Sequence, residues 1–372
     1  MKEAKKIKKT NIENSKKVFV AMSGGVDSSV SAYLLKKQGY DVTGVFMKNW
    51  SEPIETYSKK KSLCWVDERR DAIRVAAKIG IPLLTFDFEK EYKKLVVDYM
   101  YAEYKAGRTP NPDIQCNKLI KFPLFLKKSL NMGADFIATG HYLKIKTSAK
   151  NCESKLFQGK DKEKDQSYFL WTLEQSQLKY CLFPIGDYLK TEVRQIAEKI
   201  GLANAQKKGT AGICFIGEVK LREFLKKKIK EKPGNIITTD GKIVGQHPGI
   251  SYFTIGQRHG LEISGQKPYY VASKDIKKNI LIVAEGKNNP ALFKKEIELK
   301  DINFINPAIK NRLPIAVYAR VRYRQPLAKG VLRLNKKSYK LIFNKPQKFV
   351  AAGQSAVFYT KAKELLGGGV IK

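Results

Sequence analysis

The stretch KVFVAMSGGVDSSV (Lys17–Val30) decides how the chain is read. Lys17 to Met22 is apolar enough for a short buried strand, and Val26, Val30, Tyr33 and Leu34 recur at helical spacing until Gly39. The Ser/Gly segment between them therefore lies between a strand end and a helix start, where open α/β sheets bind ligands. Gly24 and Gly25 let backbone amides approach an anion with no Cβ in the way. Ser23, Ser28 and Ser29 add hydroxyl donors, and the helix dipole favours negative charge. The chain has no G-x-x-x-x-G-K-[ST] string, so no Walker-type NTPase is implied, and no G-x-G-x-x-G follows this strand.

Strand and helix patterns alternate from there. Val42–Met47 reads as a strand, and Asp67–Ile79 as a helix with Ile73, Ala76 and Ala77 on one side. Ile81–Phe86 reads as a strand, Leu124–Met132 as a helix and Asp135–Gly140 as a strand. Such alternation means βαβ units and a parallel sheet covered on both faces. After about Gly209 the pattern changes. IITTDGKIVG carries an Asp-Gly turn between β-rich runs, a hairpin signal. From about Ile297, the runs Ile315–Arg324, Gly330–Leu334, Ser338–Phe343 and Ala356–Tyr359 predict a small sandwich or barrel. In Ile315–Arg324, a period of two places Arg320, Arg322 and Arg324 on one face, a spacing suited to a phosphate backbone.

A chain of 372 residues suggests two or three domains at about 150 residues each, and 43% hydrophobic residues suffice for packed cores. Charge is the unusual quantity: 71 Lys and Arg against 35 Asp and Glu, a net of +36. Nucleic acid is the leading anionic partner for such a balance, ahead of a merely solvated lysine-rich surface and of an anionic membrane. No stretch has the roughly 18 apolar residues of a spanning helix. The N-terminal lysines precede no apolar run, so no secretion signal is read and a cytoplasmic protein is expected. The five cysteines form no CxxC pair, which argues against a disulfide scaffold, a local zinc knuckle or any dedicated metal site.

Two cysteines stand out by context. Cys116 lies in TPNPDIQCNKLIKF, where Pro110 and Pro112 force an extended approach. Asp113 is placed to cap the following helix, and its dipole, with Lys118, would favour the Cys116 thiolate. Cys214 lies in TAGICFIGE, where the α/β pattern ends. Cys64, Cys152 and Cys181 read as ordinary small hydrophobes.

The ordered set SGGVDSS, FMKNW, NPDIQCNKLIKF, ATGHY, KDQSYFLW, GICFIGE, HPGISYFTIGQRHGL and GQSAVFY, from about Lys17 to Tyr359, resembles the tRNA-specific 2-thiouridylase family. SGGVDSS is itself similar to the PP-loop of ATP pyrophosphatases. The resemblance implies an α/β fold: a Rossmann-like parallel-sheet PP-loop domain over 1–213 with a basic tail at 1–16, a small central domain over 214–285 and an RNA-binding C-terminal β-barrel over 286–372. It implies an enzyme that adenylates the 2-carbonyl of the wobble uridine of tRNA with ATP, Mg²⁺ assisting, and then replaces that oxygen with sulfur. ATP would be bound by Ala21, Met22, Ser23, Gly24, Gly25, Val26, Asp27 and Ser28, with Met47 and Gly140. Cys214 would carry a persulfide delivered by a sulfur-relay protein or cysteine desulfurase, Cys116 would complete the transfer, and a Cys116–Cys214 disulfide would result. Asn111, Pro112 and Asp113 would meet the target base, Asp113 also as acid or base. His141, Lys164, Asp165, Gln166, Arg322, Tyr323 and Gln354 would contact tRNA, and a monomer is expected.

Two departures from the family pattern stand in the chain. Ala21-Met22 replaces the usual Gly-Met, and Gly209-Thr210-Ala211 replaces Asp-Ser-Thr ahead of Cys214. The residues alone leave other readings open: a PP-loop enzyme acting on a small metabolite, and a non-catalytic RNA-binding protein. An iron–sulfur cluster on Asp113, Cys116 and Cys214 also competes with the persulfide relay.

Overall fold

The computed structural model describes residues 15–51, 54–55, 61–62, 64–150, 152–207, 221–264, 267–335 and 338–372, with backbone alone at 54–55, 61–62 and 64. The first half runs β1 (Lys17–Ala21), α1 (Val26–Lys37), β2 (Asp41–Lys48), α2 (Cys64–Ile79), β3 (Leu83–Asp87), α3 (Asp98–Lys105), α4 (Pro112–Cys116), α5 (Leu124–Asn131) and β4 (Phe136–Thr139). A hairpin, β5 (Leu143–Thr147) and β6 (Ser154–Gln158), precedes β7 (Cys181–Leu182) and α6 (Lys190–Lys199). All pairings within the sheet β3-β2-β1-β4-β7 are parallel. Its strand order reverses between β1 and β4, which opens a crevice beyond their carboxyl ends.

Alternation along β1 divides the core between the two faces. Val18 and Val20 join Val30, Ala72, Val75, Val193 and Ala197, contributed by α1, α2 and α6. Phe19 and Ala21 join Val45, Met47 and Ile137 in the other cluster, which also holds Met100, Ile114, Cys116 and Ile120. The inward face of α2 differs from the expected Ile73, Ala76 and Ala77. It buries Ala72, Val75 and Ala76, while Ile73 is 42% exposed. Small side chains at 72 and 76 let the helix lie close to its neighbours, so its seam is turned away from the bulkier Ile73.

After α7 (Leu221–Lys226) come β8 (Gly234–Thr238), β9 (Ile243–His247), β10 (Tyr269–Asp275) and β11 (Ile280–Glu285), in the order β9-β8-β11-β10. The expected Asp240-Gly241 turn joins β8 to β9, with Gly241 at φ +92°. The final unit is β12 (Phe293–Phe304), β13 (Ile315–Arg320), β14 (Ala328–Asn335), β15 (Ser338–Lys348), β16 (Ser355–Tyr359) and β17 (Glu364–Ile371). It runs β12-β15-β14-β13-β16-β17 and closes by pairing β12 with β17, so it is a barrel and not a sandwich.

Two features of the barrel were not read from the sequence. ELLGGGVI forms β17 with three successive glycines in it. A Cβ at Gly368 would stand 2.6 Å from Trp171 Cγ, so the bare glycine lets that buried ring lie against the strand. The hairpin β5–β6, which belongs to the first half of the chain, adds to the barrel sheet where Glu364 and Leu365 pair with Phe157 and Leu156.

Candidate active site

β1 ends against β2, where Met22 N donates to Val45 O at 2.8 Å, and the chain then turns at the crevice. Gly24 adopts φ +71°, and a Cβ there would stand 2.3 Å from Glu68 O on α2. Only glycine lets the loop rest on that backbone. On the other side, a Cβ at Gly140, just past β4, would stand 2.7 Å from Ser28 N. Gly25 caps α1 with no side-chain bond, leaving the first helical amides without intrahelical acceptors. Backbone amides and the positive end of α1 thus face the crevice, an arrangement that binds phosphate. Ser28 and Ser29, expected as donors to the anion, instead donate to Gly25 O at 3.1 and 2.8 Å. Ser23 remains exposed.

Asp27 organises the first turn of α1. Its Oδ1 accepts from Tyr142 Oη at 2.7 Å and from Lys190 Nζ at 2.6 Å. Burial first, then the Asp27 charge, pushes the Tyr142 phenol far above its ordinary range, so it stays a donor. Buried Asn204 braces the loop, giving Nδ2 to Gly24 O at 3.0 Å and to Ser29 Oγ at 2.9 Å. Beneath the loop, burial pushes the Glu68 carboxyl up to about 7, with the Asp71 charge adding and Lys207 opposing. Tyr142, Lys190, Asn204 and Glu68 were not singled out from sequence. They lie far from the glycine-rich loop along the chain, and although Tyr142 ends the ATGHY motif, only the fold gathers the four around Asp27 and the loop. Ala21, Met22, Val26 and Met47 are buried around the same strand ends.

Cys116 stands on a second arm. Asn111, not Asp113, caps α4: its Oδ1 accepts from Ile114 N at 3.1 Å, with Pro112 in the first turn. Asn is as good a cap as Asp, and the proline after it needs no amide acceptor. Cys116 is 0% exposed, whereas Lys118 is exposed. It packs in the core cluster of Met47 and Ala21, on the sheet face opposite α1. A π-turn over Asn117–Lys121 follows, a form frequent at functional positions. Cys214 and the departure at 209–211 lie outside the described residues. Among the described residues no group of three or more His, Cys, Asp or Glu is arranged to hold a metal ion.

The remaining candidates are dispersed. His141 is buried, shares a 2.7 Å bond between Nδ1 and Thr139 Oγ1, and is held neutral by burial and by Lys121. Gln166 Oε1 accepts from Tyr142 N at 3.0 Å. Asp165 is 2% exposed, and its carboxylate accepts from Gln158, Gly159, Ser167 and, at 3.4 Å, Arg320. The three-arginine face is not formed. β13 stops at Arg320, which is buried against Asp165 and the Tyr359 ring, and Arg324 takes φ +65° in the turn beyond. Strand alternation therefore does not extend to Arg322. Tyr323 lies past the strand end, with its ring 4.5 Å from Phe169. Gln354 Nε2 donates to Thr109 O and Pro110 O.

Lys164 and Asp165 line a cleft of about 1060 Å³ between the β5–β6 hairpin and the barrel. Lys144, Lys146, Lys160, Lys162, Lys363, Arg320 and Arg324 share its wall, with Glu163 as the other acid. Asp187 and Glu192 neutralise Lys144 and Lys160, and Asp165 is held inside, so the mouth is strongly positive.

Comparison with known proteins follows the same three-part division. Residues 16–218 match the family described as tRNA methyl transferase HUP domain, 222–285 the tRNA methyl transferase PRC-barrel domain, and 294–371 the aminomethyltransferase beta-barrel domain. The chain is 46% identical over 361 residues to the tRNA-specific 2-thiouridylase MnmA of Streptococcus agalactiae serotype III, covering 95% of each chain. It is 48% identical over 362 residues to the protein of that name from Pseudomonas aeruginosa, covering 96% of this chain and 94% of the other. A relative from Geobacillus kaustophilus, tRNA-specific 2-thiouridylase MnmA 2, is 46% identical over 358 residues, covering 95% and 94%. Likeness of this degree, from near the first strand to the last, means that the chain belongs to the tRNA-specific 2-thiouridylase family.

Proposed function

We propose that the chain replaces the 2-oxygen of the wobble uridine of tRNA with sulfur, using ATP, in the cytoplasm. The observation that carries this reading is the anion cradle at the reversal point of the sheet, built by Gly24, Gly140 and the first turn of α1. A triphosphate in that cradle would meet backbone amides and the helix dipole, which stabilise charge developing on departing pyrophosphate. Transfer of AMP to the 2-carbonyl oxygen makes it a good leaving group. In this reading Ala21 to Ser28, Met47 and Gly140 hold the nucleotide. Lys190 holds Asp27 in place, and both of its bonds fall on Oδ1, so Oδ2 can serve a Mg²⁺ ion carried with the nucleotide.

Sulfur then arrives on Cys214 from a persulfide relay protein or cysteine desulfurase. The perthiol sulfur attacks C2, the adenylated oxygen leaves as AMP, and the Cys116 thiolate attacks Cys214 Sγ, breaking its bond to the sulfur now on C2. That attack frees the thiolated base and leaves a Cys116–Cys214 disulfide for a thiol reductant to open. Asn111, Pro112 and Asp113, at the start of α4, would receive the base. The basic cleft beside Lys164, together with His141, Gln166, Arg322 and Tyr323, would receive the surrounding RNA. Buried Asp165 would act by fixing Arg320 and the edge of the hairpin.

The test is incubation of the chain with unmodified tRNA, ATP and sulfide, followed by mass spectrometry of the wobble nucleoside and assay of AMP and pyrophosphate. Thiolated uridine with stoichiometric AMP is expected. Cys116→Ser and Cys214→Ser should each abolish the thiolated product when sulfur is supplied as a persulfide, while ATP binding persists. No tRNA-dependent AMP from the wild-type chain would overturn the reading, and product from Cys214→Ser would overturn the persulfide assignment.

A further inference from the structure

The approach to α4 is held from outside. Residues Gly107 to Pro110 form neither helix nor strand, and Pro110 and Pro112 have no amide hydrogens with which to anchor it. Donors and acceptors from the other two units do so instead. From the barrel, Ala352 O accepts from Thr109 N at 2.8 Å, and Gln354 Nε2 donates to Thr109 O at 2.9 Å and to Pro110 O at 3.2 Å. One carboxamide thus spans two successive carbonyls. Gly353, at φ +89°, brings its backbone so close that a Cβ would stand 2.9 Å from Thr109 O. From the central unit, Lys274 Nζ on β10 donates to Gly107 O at 3.1 Å and Thr254 Oγ1 in the loop before that strand lies 3.4 Å from Thr109 Oγ1. The barrel loop is itself fixed, since Gly353 N donates to Ile371 O and Ile371 N to Gln354 O.

The strap leads directly into Asn111, the cap of α4, and one turn later into Cys116. We infer that Gln354, with Lys274 as a second anchor, is a positioning residue that holds the Asn111–Cys116 arm in register with the nucleotide site. This replaces the expected RNA contact of Gln354, and it rests on the proposed role of Cys116. Its side-chain amide faces two protein carbonyls, and removing that donor leaves both unpaired and the arm free to shift. Misplacing a reacting group by about 1 Å costs up to about a hundredfold in rate.

The experiment uses the full chain with Gln354→Met, which keeps the length and removes the donors, and Lys274→Met. Single-turnover thiolation should fall by about tenfold to a hundredfold in Gln354→Met. Filter-binding affinity for tRNA and equilibrium-dialysis affinity for ATP should stay within about twofold of wild type, the split expected when only the transition state is disturbed. Independently of activity, iodoacetamide labelling of Cys116, read by peptide mass spectrometry in the unliganded chain, should accelerate at least about tenfold in both variants, because a loosened arm opens more often. If tRNA affinity falls in proportion to rate, Gln354 is an RNA contact and the inference fails. Unchanged rate and unchanged labelling also overturn it. A wild-type chain that makes no thiouridine would refute the proposed function, while the labelling comparison would still decide the clamp. Should Gln354→Met not fold, Gln354→Asn, with its donors one carbon short, reads the same quantities.

Discussion

At the scale of single residues, Glu68 and Asp27 make opposite demands on the loop. Glu68 carries a carboxyl pushed up to about 7 by burial beneath Gly24. Its folded pKa is above the unfolded value, so below about 4.5 it is neutral in both states and costs nothing. As pH rises from there to 7 the native state must give up a proton that it held more tightly, and stability falls. Above 7 the full cost of about 3 kcal/mol remains. Glu68→Gln should therefore raise the midpoint of thermal unfolding at pH 8 and leave it nearly unchanged at pH 4.5. An equal shift at both pH values would refute the burial argument. Asp27, by contrast, is paired with Lys190 and Tyr142. Asp27→Ala should cut AMP formation by at least about tenfold, measured by release of labelled AMP, and strand the half-buried Lys190 without its partner.

At the scale of elements, the nucleotide cradle depends on how closely β4 approaches α1. Gly140→Ala puts a methyl 2.7 Å from Ser28 N, a backbone atom that cannot rotate aside. The expected outcome is a loss of ATP affinity of at least about tenfold by calorimetry, with the barrel unaffected by near-ultraviolet circular dichroism; retained affinity would show that the strand and helix can separate at little cost. These elements were legible in advance because they are local: a strand, a glycine turn and a helix follow one another within KVFVAMSGGVDSSV. Less local features were not. Asp113 reads as the cap of α4, and the chain path gives that role to Asn111. The arginine face failed because β13 ends at Arg320, while the first proline of the connection, Pro326, comes only six residues later. Lys190 reaches Asp27 across 163 residues, and the Gln354 clamp pairs residues 245 apart, so no local motif could reveal either pairing.

At the scale of the whole molecule, a net charge of +36 is divided between neutralised lysines and a positive cleft. If that cleft receives RNA, tRNA affinity should fall linearly on a log–log plot against salt, by about 0.7 to 0.9 for each phosphate neutralised. Lys146→Glu and Lys162→Glu should each reduce that slope by about 1, measured by filter binding over a range of potassium chloride. A salt-independent affinity would turn attention to a small, uncharged substrate. The change from a parallel α/β sheet to all-β structure was readable from strand spacing, which left sandwich and barrel both open; the barrel came from the family resemblance. What spacing could not show is that the units are stitched together, by the clamp on the strap and by the hairpin that adds to the barrel sheet.

That hairpin also bears on the order of events during synthesis. β5 and β6 leave the ribosome early, yet the strand that pairs with β6 is made only about 200 residues later. Until then the edge of β6 presents unmatched peptide groups, the kind of surface that chaperones shield and proteases find. A nascent chain can close its barrel and seat the hairpin only when Glu364 to Ile371 have emerged.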